Sequence, residues 1–278
     1  MCLIAFAINQ HKHYPLIILA NRDEFFARPT KALAQWIDNS NIIGGQDLEA
    51  GGTWLAVSPS GKWAALTNFR NPAEKPKHRS RGEIIKRYLS DSSSSKLSTK
   101  QFIEELQLQH EEFNGFNLVL GDLAMNTCFF ISNHPWSCSQ LNDGVYTISN
   151  GPINNRWPKM ENFHQGILQL LTQNPADFEK ALALMTGSIE IEEDSLPNTG
   201  ISRELEKSLA QPFIQPFETQ KGTYGTRSSA LVLYEQKTTS APNKQSQNTE
   251  SQWLFTEYQH QTKETCSLTC PISFKSER

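Results

Sequence analysis

Strand-length apolar runs in this chain come in blocks, and helical patterns fall between the blocks rather than between single strands. That spacing constrains the fold most, because parallel strands need a crossover, usually a helix, after each one. Residues 2–8 (CLIAFAI) and 16–21 (LIILAN) flank the polar turn NQHKHYP and read as a hairpin. Residues 53–58 (TWLAVS) and 62–68 (KWAALTN) flank Pro59-Ser60-Gly61, a turn composition, and read as another. The segment 44–52 before it is glycine-rich and is expected to be a loop near a site.

Helices follow. Ser80 to Glu83 fits a capping box ahead of Ile84, Ile85, Tyr88 and Leu89, and Ser98 with Gln101 fits one ahead of Phe102, Ile103 and Leu106. Residues 92–95, all serine, read as a solvated linker. Strands return at 116–121, 128–132 and 145–149. Trp157-Pro158 opens a helix with the stripe Met160, Phe163, Ile167, Leu168 and Leu171, and Pro175 opens one with Phe178, Leu182 and Met185. Residues 189–200 read as an acidic exposed loop, 228–234 and 253–258 as strands, and 237–250 as a low-complexity loop between them. The tail, 260–278, carries no pattern and is expected to be irregular. The whole reads as one α+β domain over 1–278, with two antiparallel sheets face to face and helices on both outer faces.

The chemistry begins at Met1-Cys2. Removal of the initiator methionine would leave Cys2 as the first residue, with thiol and free α-amine on one carbon framework. Those groups ordinarily titrate near ~8.5 and ~7.7–8.0, so one residue supplies both nucleophile and general base. A buried apolar strand explains CLIAFA equally well on its own. What adds weight is a set of polar clusters at strand ends. Asn21-Arg22-Asp23-Glu24 ends the second strand, Asn68-Phe69-Arg70 the fourth and Asn150-Gly151-Pro152 a later one, while Tyr224-Gly225-Thr226-Arg227 begins another. Arg22, Asp23, Asn68, Asn150 and Arg227 supply what a nucleophilic thiol needs: a cation, a carboxylate to orient the amine, and amide donors for an oxyanion. Asn and Asp at strand ends are also ordinary turn formers. Trp54, Trp63, Phe69 and Trp157 flank these clusters, as pocket walls or as core.

The motifs NRDE (21–24), Arg28-Pro29-Thr30, GGTW (51–54), LTNFR (66–70), SRG (80–82), SNG (149–151) and YGTRSS (224–229) resemble, in order, those of the NRDE family, also called the transport and Golgi organisation 2 family. The resemblance implies an N-terminal nucleophile (Ntn) hydrolase fold, a four-layer αββα sandwich. More remotely the chain resembles the cysteine Ntn amidases that cleave bile-salt conjugates and penicillin V. By order and context Cys2, Arg22, Asp23, Asn150 and Arg227 match their catalytic positions, with Asn68 a further candidate. One departure stands out. In those amidases the Arg and Asp are separated, whereas here they are adjacent, and adjacent strand residues point to opposite faces.

The family resemblance also implies a link to haem handling and lipid metabolism, which makes the chain a candidate haem-binding or haem-trafficking factor. Ligands would come from Cys2 or from His11 and His13 in the first hairpin turn. The haem would be non-covalent, since no C-x-x-C-H sequence occurs. The rival is an N-terminal-cysteine amidohydrolase cleaving a non-peptide C–N bond without a cofactor. A third reading is a degenerate fold used only for interaction.

A formal charge of −3 is too balanced for an obligate nucleic-acid or anionic-membrane partner. No apolar run reaches the ~18 residues of a membrane span, and the start lacks the basic flank of a signal peptide. The five cysteines are odd in number and lack paired zinc-type spacing, although Cys266 and Cys270 form a possible metal half-site. A disulfide framework is not expected, and a reducing cytoplasm is the expected setting. The expected partner is a small molecule, or a haem- or lipid-like ligand.

Overall fold

A computed structural model describes residues 2–90, 97–153, 155–238 and 249–274. The serine run at 92–95 and most of the 237–250 loop lie outside the described residues.

One seven-stranded antiparallel sheet has the order β10 (Gly144–Ile148), β1 (Cys2–Ile8), β2 (Leu16–Phe25), β12 (Gly222–Thr238), β13 (Thr249–Gln259) and β14 (Glu264–Pro271), with β11 (Phe217–Thr219) also on β12. The other runs β3 (Thr30–Gln35), β4 (Ile43–Asp47), β5 (Leu55–Val57), β6 (Lys62–Asn68), β7 (Phe116–Asp122), β8 (Thr127–Asn133) and β9 (Trp136–Gln140). Ile4, Phe6, Ile18 and Val232 of the first sheet meet Val57, Trp63, Val119 and Phe130 of the second in a buried core between the sheets. The intervening residues of β1 and β2, such as Leu3, Ala5, Ile17 and Leu19, face α3 (Pro158–Thr172) and α4 (Phe178–Thr186). On the far side, Ala64, Leu66 and Leu118 pack against α1 (Gly82–Leu89) and α2 (Thr99–Gln109). The layers are therefore helix, sheet, sheet, helix, and both faces of each sheet's middle strands are apolar because both are covered.

Local chemistry sets the helix starts. The Ser98–Gln101 capping box forms, and Pro158 occupies the first turn of α3. No box forms at Ser80, because Glu83 is drawn to Arg79 at 2.5 Å and the N-cap is Arg81. The buried stripe of α3 is Met160, Phe163, Ile167 and Leu170, so Leu168, expected inside, sits 38% exposed one position off the face. Asp177, not Pro175, caps α4. A short helix, α5 (Arg203–Leu209), has Ser202 as its cap.

Two sequence expectations are overturned. The glycine-rich stretch is regular at its start, as β4. A Cβ on Gly44 would lie 2.5 Å from Leu55 O, and one on Gly45 would lie 2.3 Å from the Trp54 ring, so glycine there permits close strand approach. The tail is not irregular from 260 onward, since 264–271 form the edge strand β14. Cys266, Leu268 and Cys270 alternate with polar residues and pack against the intersheet core. Four strand residues span about 13 Å, so Cys266 and Cys270 cannot chelate one metal as a pair.

Candidate active site

Cys2 heads β1 directly opposite Arg22 on β2, and antiparallel partners project to the same face. That face is the intersheet one, shared with Ile4, Phe6, Ile18 and Ala20. At this rim Cys2, Arg22, Asp23, Trp54, Asn68 and Arg81 line a common cleft of about 120 Å³. The Arg22 guanidinium stacks 4.0 Å above the Trp54 ring and donates to Thr30 Oγ1 at 3.1 Å. Arg28 closes one side, bound to Asp47 at 2.7 Å and Glu49 at 3.0 Å.

The adjacency of Arg22 and Asp23 resolves without a turn. β2 runs straight through both to Phe25, so the Asp23 carboxylate takes the helix side of the sheet. There it accepts the Thr226 hydroxyl at 2.7 Å. Its backbone N–H still hydrogen-bonds to the Cys2 sulfur. Asn21 shares the Asp23 side and is structural. It donates to Met185 O and Pro212 O, both at 2.8 Å, and accepts Ser229 Oγ–H at 2.6 Å.

Asn68 ends β6 and lines the cleft. Asn150 stands behind it. The Asn150 Nδ2 donates to Asn68 O at 2.8 Å, its backbone O accepts Arg70 N–H at 2.7 Å, and its Oδ1 accepts the Ser149 hydroxyl at 3.1 Å. Ser149 Oγ also lies 3.1 Å from Cys2 O, so the SNG segment fixes the Cys2 backbone. Gly151 lets the Trp157 ring approach, since a Cβ there would fall 2.7 Å from it.

Arg227 does not line the cleft. It occupies a β-bulge between Thr226 and Ser228, and its Nη1 donates to Phe25 O, Arg28 O and Thr30 Oγ1. Thr30 thus links Arg227 to Arg22, and Arg227 braces the 25–30 turn rather than contacting the sulfur. His11 and His13 are also elsewhere. They lie in the turn at the opposite end of β1, about 20 Å from Cys2 at the usual strand rise. His11 Nδ1 accepts backbone N–H groups of His13 and Tyr14. Closeness in sequence to Cys2 therefore did not mean closeness in space.

Electrostatics describe a resting thiol. Burial pushes the Cys2 thiol up and the Asp23 carboxylate adds to this, against Arg22 and the Asp23 N–H, which favour the thiolate. Burial likewise raises the Asp23 carboxyl, opposed first by the positive charge of the chain's α-amine and then by Lys159 and the Thr226 hydrogen bond. A sulfur held as thiol needs a base to become a nucleophile.

Three residues escaped the sequence reading. Arg81, of SRG, lines the cleft and donates to Gly115 O at 3.1 Å. Glu206 is buried and paired with Arg70 at 2.7 Å. Lys159 is 1% exposed. A lysine straight after Trp-Pro, in a helix first turn that the dipole makes unfavourable for cations, was the signal available for it.

Among proteins of known sequence, the Transport and Golgi organization 2 homolog of Mus musculus is 30% identical over 252 residues, which cover 84% of this chain and 88% of that protein. The Homo sapiens homolog is 29% identical with the same coverage. Among solved structures, the Cys-to-Ala mutant of conjugated bile acid hydrolase from Clostridium perfringens matches 99% of this chain and 97% of its own, at 9% identity and a TM-score of 0.45. The N-acylethanolamine-hydrolyzing acid amidase ortholog of Caenorhabditis elegans matches 67% and 86%, at 10% identity and a TM-score of 0.43. The Transport and Golgi organisation 2 family pattern itself matches residues 1–245, and the chain belongs to that family.

Proposed function

We propose that this protein is an amidohydrolase that uses Cys2 as an N-terminal nucleophile once Met1 has been removed, cleaving a non-peptide C–N amide bond. The supporting observation is the set of groups around one sulfur: Arg22 on the same strand face, the Asp23 N–H hydrogen-bonded to it, and Asn68 in the same cleft. In the first step the Cys2 α-amine takes the thiol proton as the sulfur attacks the amide carbonyl. The C–N bond then breaks, the ammonium returns the proton to the leaving amine, and an acyl thioester remains on Cys2. Water, deprotonated by the same amine, adds to the thioester and releases the acid and the thiol. Asn68, which lines the same cleft, serves as the oxyanion donor, and Asn150 holds the strand end that carries it. Arg22 steadies developing negative charge on sulfur.

A cleft of about 120 Å³ is small beside the roughly 300–1,000 Å³ that usually enclose an organic ligand. An extended amide need insert only its scissile group. A haem would have to enter whole, and His11 and His13 stand too far away to share iron with Cys2. The haem-trafficking reading therefore has less support. No helix of the described residues is long and apolar enough to cross a membrane, and a reducing, cytoplasmic setting suits a free thiol nucleophile.

Amine release from a panel of acyl amides tests the reading. Turnover is expected in the wild type, none in Cys2→Ala, and a loss of about 10²–10³ in Asn68→Ala. No turnover across a broad panel would favour a binding role.

A further inference from the structure

The two groups that the proposed reaction must hold together belong to different sheets. Cys2 heads β1 in the first, and Asn68 ends β6 in the second. Their separation therefore depends on how the sheets are tied at this rim. On one side of Cys2 the tie is Arg22 to Thr30 of β3. On the other side it runs through residues 149–151, just beyond β10, whose partner in the sheet is β1.

The residue that holds this segment is Asn117 of β7. It stands opposite Thr67 in the register, and the two continue the intersheet face of Val119 and Ala65. Asn117 is fully buried. Its Nδ2 donates to Ser149 O at 3.0 Å and to Gly151 O at 2.8 Å, so it brackets Asn150. Thr67 Oγ1 donates to the same Ser149 O. These acceptors set the orientation of the carboxamide, since the reverse one would press its oxygen against two carbonyl oxygens. As a result Asn117 Oδ1 is buried with no hydrogen-bond partner among the described residues. Buried acceptors are seldom left dry; this one is, with both N–H groups committed to the SNG segment. That segment then reaches both reacting groups. Ser149 Oγ lies 3.1 Å from Cys2 O, and Asn150 Nδ2 donates to Asn68 O at 2.8 Å.

We propose that Asn117 is a positioning residue: by clasping Ser149 and Gly151 to the second sheet, it fixes the span from Cys2 to Asn68 and so the aim of the oxyanion donor. The consequence for catalysis rests on the amidohydrolase reading, whereas the control of the span does not. Asn117 does not line the cleft, so its replacement acts through the residues it holds.

The test sets p-nitrophenyl acetate, which acylates a thiol through a tetrahedral oxyanion, beside iodoacetamide, which alkylates it without one. Both reactions are followed on the amino-terminal peptide. In Asn117→Ala the acylation rate is expected to fall about tenfold or more, while alkylation stays within about twofold of wild type. In the Asn68→Ala background the same replacement should slow acylation by less than about threefold, because the donor it aims is gone. Loss of both rates together, or equal losses with and without Asn68, would overturn the role. Thr67→Val removes the other donor to Ser149 O and leaves Asn117 in place. It should show the same pattern in smaller size, and it carries the test if Asn117→Ala does not fold. A wild-type Cys2 that is alkylated but never acylated would count against the amidohydrolase reading. The span is then judged from crystal structures. A Cys2-to-Asn68 distance about 1 Å longer in either variant is expected, and an unchanged distance overturns the proposal.

Discussion

Replacing Asn21 by leucine separates the structural half of the NRDE segment from the chemical half. Asn21 is fully buried, and its carboxamide spends both N–H groups on Met185 O and Pro212 O and its oxygen on the Ser229 hydroxyl. Leucine keeps the branched skeleton but replaces the carboxamide oxygen and nitrogen with two bulkier methyl groups, so the hydrogen bonds are lost and some overpacking is added. Ser229 retains His260 Nε2 at 2.8 Å as a partner. The two carbonyls are left dry, at about 1–3 kcal/mol each, or about 2–6 kcal/mol in total. With a urea slope of about 3 kcal/mol/M, the midpoint should fall by about 0.7–2 M. Urea unfolding followed by tryptophan fluorescence measures this. Iodoacetamide alkylation of Cys2, below the transition, measures the site. Asn21 faces away from the sulfur, so the rate in still-folded protein should stay within about twofold of wild type. A stability loss below about 1 kcal/mol would refute the hydrogen-bond accounting. Loss of Cys2 reactivity in folded protein would refute the division of the segment by strand face.

Gly45→Ala should keep the fold but push Trp54 aside, because the new Cβ would meet that ring at 2.3 Å; a destabilisation of about 1–3 kcal/mol and a changed Cys2 alkylation rate would report the loss of the Arg22–Trp54 stack. His260 is brought down to about 4 by burial. A histidine depressed in the folded state contributes stability above its unfolded value, near ~6.5, and this is lost as pH falls from there toward about 4. Melting temperature against pH should show that decline in wild type, and His260→Gln should flatten it; equal slopes would contradict the assignment.

The sheet blocks, the hairpins and most helices were legible because periodicity and turn residues are local properties of the chain. The short polar strands were not. β3 buries only Leu33 of its six residues, and β14 gains its identity from pairing with β13 rather than from its own hydrophobicity. β4 was missed because its glycines serve packing against Leu55 and Trp54, which no local rule reveals. At the site, strand-end polarity pointed to a rim where Cys2, Arg22, Asp23 and Asn68 line one cleft. It did not distinguish residues lining the cleft from those bracing it, as Asn150 and Arg227 do, because that depends on a bulge and on which strand end stands in front. The histidines were set beside Cys2 by sequence proximity, and a hairpin sends its turn to the opposite end of the sheet.

The mass of the amino-terminal peptide from protein isolated from its native source decides most directly whether Cys2 is equipped for the proposed chemistry. A peptide beginning at Cys2, with an unblocked α-amine, is the expected result. One beginning at Met1, or at an acylated cysteine amine, would leave the sulfur without its base and contradict the assignment.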